Sequence, residues 1–223
     1  MSEAPRQSKP QSDRAKWTYG KILHAAGLVF EKNGYEGASV NEIIKVAGVT
    51  KGAFYFHFAA KKDLAVAILE STLQVDGLII GQEIKLQEVV DTGLILGHKI
   101  TREPQIRAAL RLSVSYNAAS IYGTPWPEWI KFNTAQLAEA QQRGEVGIDV
   151  DPKAQAHQIA GTWSGLVLTG HSVYGNLEGL EERVALMYVN LMTVIAHPRL
   201  MRKIDFSPTR GRDLYQAFLD KNS

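Results

Sequence analysis

The sequence predicts an all-α protein, with an N-terminal three-helix helix-turn-helix domain and a larger helical domain behind it. Three observations carry this expectation. From Trp17 onward apolar residues recur at three- and four-residue spacing, with no convincing alternating pattern of a strand. Two short periodic segments are separated by a three- to four-residue turn that contains Gly48. The charge is also lopsided. Residues 1–62 hold ten Lys and Arg against five Asp and Glu, so this stretch carries +5 and the remainder −3 of the net +2. A basic first part beside a mildly acidic remainder fits a first part that meets phosphates.

Taken in order, residues 1–13 are rich in Ser, Pro, Gln and charge and are expected to form a disordered tail. Ile22, Leu23, Ala26, Val29 and Phe30 then mark one face of a helix, which Asn33 and Gly34 stop, Gly34 suiting the left-handed position after a helix end. Ser39 and Glu42 form a capping box: Ser39 accepts from the N3 amide while Glu42 reaches back to the Ser39 amide. Val40, Ile43, Ile44 and Ala47 supply the buried side of this second helix, Gly48 breaks it, and Thr50 caps a third helix from Lys51 to Phe58. Further helices are expected at Lys61–Ile80, Leu86–Ile100, Glu103–Tyr116, Pro127–Gln142, Pro152–Tyr174 and Leu180–Ile195, with a short one after Pro208. Breakers fall between them at Gly123–Pro127, Gly144, Gly147 and Gly175–Asn176. The resulting division is a tail at 1–13, a helix-turn-helix domain at 14–62 and a helical domain at 63–223.

Composition removes several function classes. With 223 residues and 45% hydrophobic content the chain can build a sizeable core. It has no Cys, so disulfides and thiolate metal sites are excluded. The polar N-terminus lacks the apolar stretch of a signal peptide, and the longest apolar run, near Ile159–Leu168, is too short to span a bilayer; a cytoplasmic protein without membrane contact is expected. His98, His157 and His171 lack metal-ligand spacing, and there is no Glu-x-x-His pair, Gly-rich phosphate loop or Gly-x-Ser-x-Gly elbow. No catalytic residue, metal or cofactor is therefore expected. A helical enzyme or ligand carrier that contains a helix-turn-helix is the rival from another class.

The third helix carries the candidate nucleic-acid surface. At about 100° per residue Phe54 and Phe58 share the inward side, Gly52, Ala53 and Phe56 lie away from it, and Lys51 and Tyr55 flank. Small residues there admit base edges closely, an Ala methyl or a Phe edge suits a thymine methyl, and Lys51 reaches a guanine or a phosphate. Ser39, Thr50, Tyr55 and His57 can donate to phosphate oxygens, which fixes register. Lys61 and Lys62 open the fourth helix, whose amides also attract a phosphate. On residue types alone an ordinary bundle with core aromatics and a solvated lysine fits equally well.

A resemblance separates the two. Residues 49–58 (VTKGAFYFHF) followed by 61–64 (KKDL), together with 34–43 (GYEGASVNEI), resemble the signature of the TetR family. Residues 49–61, with Leu86–Glu88, Arg107–Leu112 and the region of Trp129, are similar to the γ-butyrolactone receptor group within it. The resemblance implies an Ω-shaped helical homodimer. Its recognition helices enter successive major grooves of a pseudo-palindromic double-stranded DNA operator, and a small molecule bound in the C-terminal part releases the DNA. It also implies control of antibiotic biosynthesis genes, with a relative that senses an antibiotic as the alternative.

For the sensor region the residues speak less clearly. Trp126 and Trp129 sit beside Pro125 and Pro127 at a helix start, and Trp163 lies within the helix 152–174. On that helix Gln155, Gln158, Thr162, Gly165 and Thr169 form a polar stripe, and Ile159, Trp163, Leu166 and Val173 an apolar one. A lactone-like ligand needs apolar walls with one or two donors, yet these tryptophans also suit a plain core. The resemblance places Trp129 and Thr162, but not Trp126, against the ligand. Helices 152–174 and 180–195 are expected to dimerise: Gly161, Gly165 and Gly170 permit close approach, and Leu186, Val189, Met192 and Ile195 offer an apolar side that would also serve an intramolecular core.

Overall fold

The computed structural model describes residues 13–72, 79–115, 117–170, 173 and 176–221. Four helices come first, α1 (Asp13–Gly37), α2 (Val40–Ala47), α3 (Lys51–His57) and α4 (Lys61–Thr72). They are followed by α5 (Lys85–Arg102), α6 (Pro104–Ser113), α7 (Ala118–Ile121), α8 (Trp126–Gln142), α9 (Pro152–Thr169), α10 (Leu180–Ile195) and α11 (Arg210–Lys221). Among the described residues no strand forms; one isolated antiparallel bridge joins Val146 to Ala196. Asp13, expected in the tail, already belongs to α1. The rest of the tail lies outside the described residues. So do residues 73–78 of the fourth helix, Tyr116, and His171, Ser172 and Tyr174 of the ninth. Ile79 and Ile80, expected to end the fourth helix, are not helical.

Local chemistry sets the ends of the first elements. Gly34 has the expected positive φ of 68°, but its ψ of −175° extends the chain, so helix α1 bends there and resumes to Gly37. Only half of the capping box forms. The Glu42 amide donates to Ser39 Oγ at 3.1 Å, whereas the Glu42 carboxylate accepts from Asn33 Nδ2 at 3.0 Å and ties α2 to α1. Gly48 (φ 62°, ψ 38°) closes α2 in the left-handed conformation that a side chain would strain.

Two apolar clusters result. The first buries Ile22, Phe30, Ile43, Phe54, Leu64 and Ile68, and continues onto Ala108, Ala109 and Leu112 of α6. Burying side chains of this size stabilises the unit by roughly 1.5–3 kcal/mol each. Because α4 and α6 share this cluster, the packing runs straight through residue 62, where the sequence placed a boundary. The second cluster centres on α5, against which α8, α10 and α11 pack. Ile84, the residue just before helix α5, has no capping side chain. The Glu145 carboxylate caps it from afar, accepting from the Lys85 and Leu86 amides at 2.9 Å each. Met192 and Ile195, expected on a dimer face, are sealed inside this second core, whereas Leu186 and Val194 of α10 face outward.

Candidate functional site

Two places combine exposure or space with suitable chemistry. The first is the outer face of α3. Thr50 Oγ1 accepts from the Ala53 amide at 3.1 Å, which fixes the helix start. Phe54 and Phe58 anchor the helix from beneath, with Phe58 stacked on Tyr19 at 5.1 Å between ring centroids. That anchoring leaves Lys51, Gly52, Tyr55 and Phe56 exposed, and Ala53 and His57 partly so. Lys51 Nζ lies 6.0 Å from the centre of the Tyr55 ring. Ser39 and Thr50 are exposed, and since their oxygens accept from amides, their hydroxyl protons remain to donate outward. The outer side of α3 therefore presents Lys51, Gly52, Ala53, Tyr55, Phe56 and His57, with Thr50 at its start, while Ser39 is exposed at the start of α2.

The start of α4 differs from expectation. Lys61 Nζ donates to the carbonyls of Tyr35 and Ala38 at 2.7 and 3.0 Å and sits 4.4 Å above the Tyr35 ring. It braces the α1–α2 junction instead of reaching outward. Asp63 Oδ2 accepts from the Ala60 amide at 2.9 Å, so a carboxylate already occupies part of the amide cluster that was to attract a phosphate. Lys62 alone of this pair is exposed.

The second place is a narrow cavity of about 40 Å³ inside the larger domain. Its walls are Val89, Thr92, Gly93 and Leu96 of α5; Ile106, Ala109 and Leu110 of α6; Trp126, Trp129 and Asn133 of α8, with Pro125 just before; Ile159, Ala160 and Trp163 of α9; and Tyr188 of α10. Gly93 is required here: a Cβ at that position would lie 2.1 Å from the Tyr188 hydroxyl. Complete burial pushes the Tyr188 phenol up to about 12, against a smaller opposing effect of its hydrogen bond with Trp163. Trp126 Nε1 donates to the Ser113 carbonyl at 3.3 Å, and Asn133 Nδ2 to the Trp129 carbonyl at 2.9 Å. None of the described lining residues carries a charge.

This geometry separates Trp129 from Thr162. Thr162 is exposed and lines an open groove on the outer faces of α9 and α10 with Gln158, Asn190 and Val194. Trp163, the next residue and so about 100° around the helix, is the one that faces the cavity. Trp126, set aside from sequence, lines the cavity, as do Thr92, Asn133 and Tyr188, which sequence reasoning missed. One signal was available: positions 126, 129 and 133 follow the three- and four-residue spacing of a single helix face.

The cavity and the α3 face are linked through α6. Three of its residues line the cavity, while Arg107 Nε donates to Glu31 Oε1 at 2.7 Å and Arg111 Nη1 to the carbonyls of Glu31 and Lys32. The helices touch closely, since a Cβ at Gly27 of α1 would lie 2.9 Å from the Gln105 amide nitrogen.

A helix-turn-helix with an open recognition face, joined by one helix to an uncharged, tryptophan-walled cavity, defines a DNA-reading regulator with a sensor domain. Comparison agrees. Residues 22–68 match the family described as bacterial regulatory proteins, tetR family. The chain is 36% identical over 193 residues to the A-factor receptor protein of Streptomyces griseus, covering 86% of this chain and 68% of that one. Among solved structures, TylP, a TetR regulator from Streptomyces fradiae, is 34% identical and superposes with a TM-score of 0.84 over 92% of this chain and 99% of that one. A γ-butyrolactone receptor described as an ArpA-like protein is 30% identical, with a TM-score of 0.70 over 92% and 99%. The chain belongs to the TetR family of bacterial transcriptional regulators and is related to its γ-butyrolactone receptors. Among the described residues no helix is long and apolar enough to cross a membrane.

Proposed function

We propose that this protein is a homodimeric, cytoplasmic repressor and not an enzyme. It binds a pseudo-palindromic operator through paired α3 helices and releases it when a neutral, γ-butyrolactone-like molecule enters the cavity. The observation that carries this reading is the tryptophan-walled, uncharged cavity built partly on α6, the helix that also grips α1. Apolar walls with the second amide proton of Asn133 suit a ligand with an apolar body and a small polar head, whereas the Thr92 proton is already given to the Glu88 carbonyl at 2.8 Å. A strongly cationic antibiotic would find no counter-charge among the described walls, which favours a hormone-like ligand over such a drug. At about 40 Å³ the cavity is narrow beside a molecule of that kind. Entry must push helices apart, and α6 transmits the push to α1 and hence to α3. A ligand shifts such an equilibrium only through its different affinity for the two states.

The test is a gel shift on DNA from upstream of the protein's own gene, titrated with a synthetic γ-butyrolactone. Wild type should bind and release. Trp129→Ala and Trp126→Ala should bind but need at least ten-fold more lactone, whereas Thr162→Ala should respond as wild type. Thermal melting of each variant separates a pocket effect from lost packing. Stable tryptophan variants that release at the wild-type lactone concentration, or a Thr162→Ala that fails to release, would overturn the cavity assignment.

A further inference from the structure

Phe56 is 76% exposed, at the centre of the surface assigned to DNA. A phenyl ring held in water is costly, and two features shape its surroundings. Position 52, one turn earlier on the same side of α3, is glycine, and a Cβ there would meet nothing within 4 Å. The Phe56 ring itself stays more than 4 Å from that point, so the space beside the Gly52 backbone is open. His57 supports the ring from the side, edge-on, with centroids 5.0 Å apart and planes at 86°. The ring thus stands on the outer side of the last turn of α3, the helix assigned to the major groove.

A phenyl ring neither donates nor accepts a conventional hydrogen bond, so the acceptors and donors that mark guanine, cytosine and adenine in the major groove offer it nothing. The one apolar group there is the C5-methyl of thymine. We propose that Phe56 is a specificity-determining residue that reads a thymine methyl, so that each operator half-site carries an obligatory thymine beneath α3. Gly52 supplies the clearance that lets the base edge reach the ring. This rests on the DNA-binding reading above and adds the identity of one base.

The experiment uses the full-length protein and duplexes selected by it from a random-sequence pool. Each thymine of the recovered site is replaced, in symmetric pairs, by deoxyuridine, which removes only the methyl. One pair of replacements should weaken wild-type binding about four-fold per methyl, and so roughly ten- to twenty-fold together. Phe56→Ala should bind the thymine and uracil duplexes equally, and Phe56→Leu should restore part of the preference. Because the side chain lies outside the core, both variants should melt at the wild-type temperature. Uniform tolerance of uracil by wild type, or full discrimination by Phe56→Ala, overturns the proposal while leaving DNA binding intact. Recovery of no sequence at all overturns the DNA-binding reading and this proposal with it.

Discussion

Tyr188 is sealed among Trp163, Gly93 and the α5 backbone, and its behaviour with pH follows from that burial. Its folded value of about 12 lies above the ordinary 10.0 of an unfolded tyrosine. Below pH 10 both states hold the proton and the full stability is present. Between pH 10 and 12 the unfolded chain releases its proton while the folded one keeps it, so stability falls as pH rises. Two units correspond to a loss on the order of 2–3 kcal/mol from this group. Tyr19, Tyr35, Tyr122 and Tyr215 are also raised, each chiefly by burial, and add a background. The contribution of Tyr188 is therefore read by difference: urea denaturation of Tyr188→Phe should lose less stability between pH 9 and 11.5 than wild type. Equal losses would contradict it. At the other site, Lys51 stands exposed beside Tyr55, free to meet a phosphate. Lys51→Ala should weaken operator binding and lower the log–log salt slope by roughly one. Weaker binding at an unchanged slope would mean that Lys51 contacts a base instead.

Helix α11 shows how an element is held by a few contacts. Asp91 of α5 is fully buried, and Arg210 donates to it twice, at 2.6 and 2.9 Å, with Gln82 and Gln87 completing the carboxylate's partners. Beside this clasp Gly211 lets the two helices cross, since a Cβ there would sit 2.1 Å from the Leu94 carbonyl oxygen. The obstacle is backbone, which cannot swing aside. Gly211→Ala should therefore lift α11, lower stability by about 1–3 kcal/mol or more, and speed tryptic cleavage at Arg210 and Arg212. Wild-type melting and cleavage would show that the helices can separate without cost. At this scale the sequence was informative wherever the signal was local. The α2–turn–α3 unit was legible because Ser39, Gly48 and Thr50 act on their own neighbours. Signals that depend on partners were not. Glu42 serves Asn33 instead of the Ser39 amide, and Lys61 turns toward carbonyls 23 and 26 residues away. The cavity needs five helices, so no single periodic stripe could reveal it; a rotation of one residue on α9 exchanged Thr162 for Trp163.

For the whole molecule the decisive surface is the outer side of α9 and α10. Leu168 of α9 and Leu186 and Val194 of α10 are exposed, at 44%, 59% and 77%. Gly161 and Gly165 lie on the same side with open space above them. Scattered apolar side chains are ordinary on a surface, but several on two adjacent helices, around glycines that admit a close neighbour, suit a self-complementary interface. One chain carries one α3, so in the dimer proposed above operator affinity would depend on this interface: a dimer engages two half-sites at once, and a monomer loses the second. Val194 is the place to test it. Since its side chain makes little contact within its own chain, Val194→Glu should leave the melting temperature of the monomer fold and lactone binding near wild type. In a dimer joined through this face the same change buries an unpaired carboxylate in each copy, which costs several kcal/mol. Sedimentation should show the variant as a monomer at micromolar concentration where wild type is a dimer, and operator affinity should fall at least a hundred-fold. If Val194→Glu stays dimeric, the α9–α10 face is not the interface. If it becomes monomeric yet keeps wild-type operator affinity, paired reading by two α3 helices is not how this protein holds DNA.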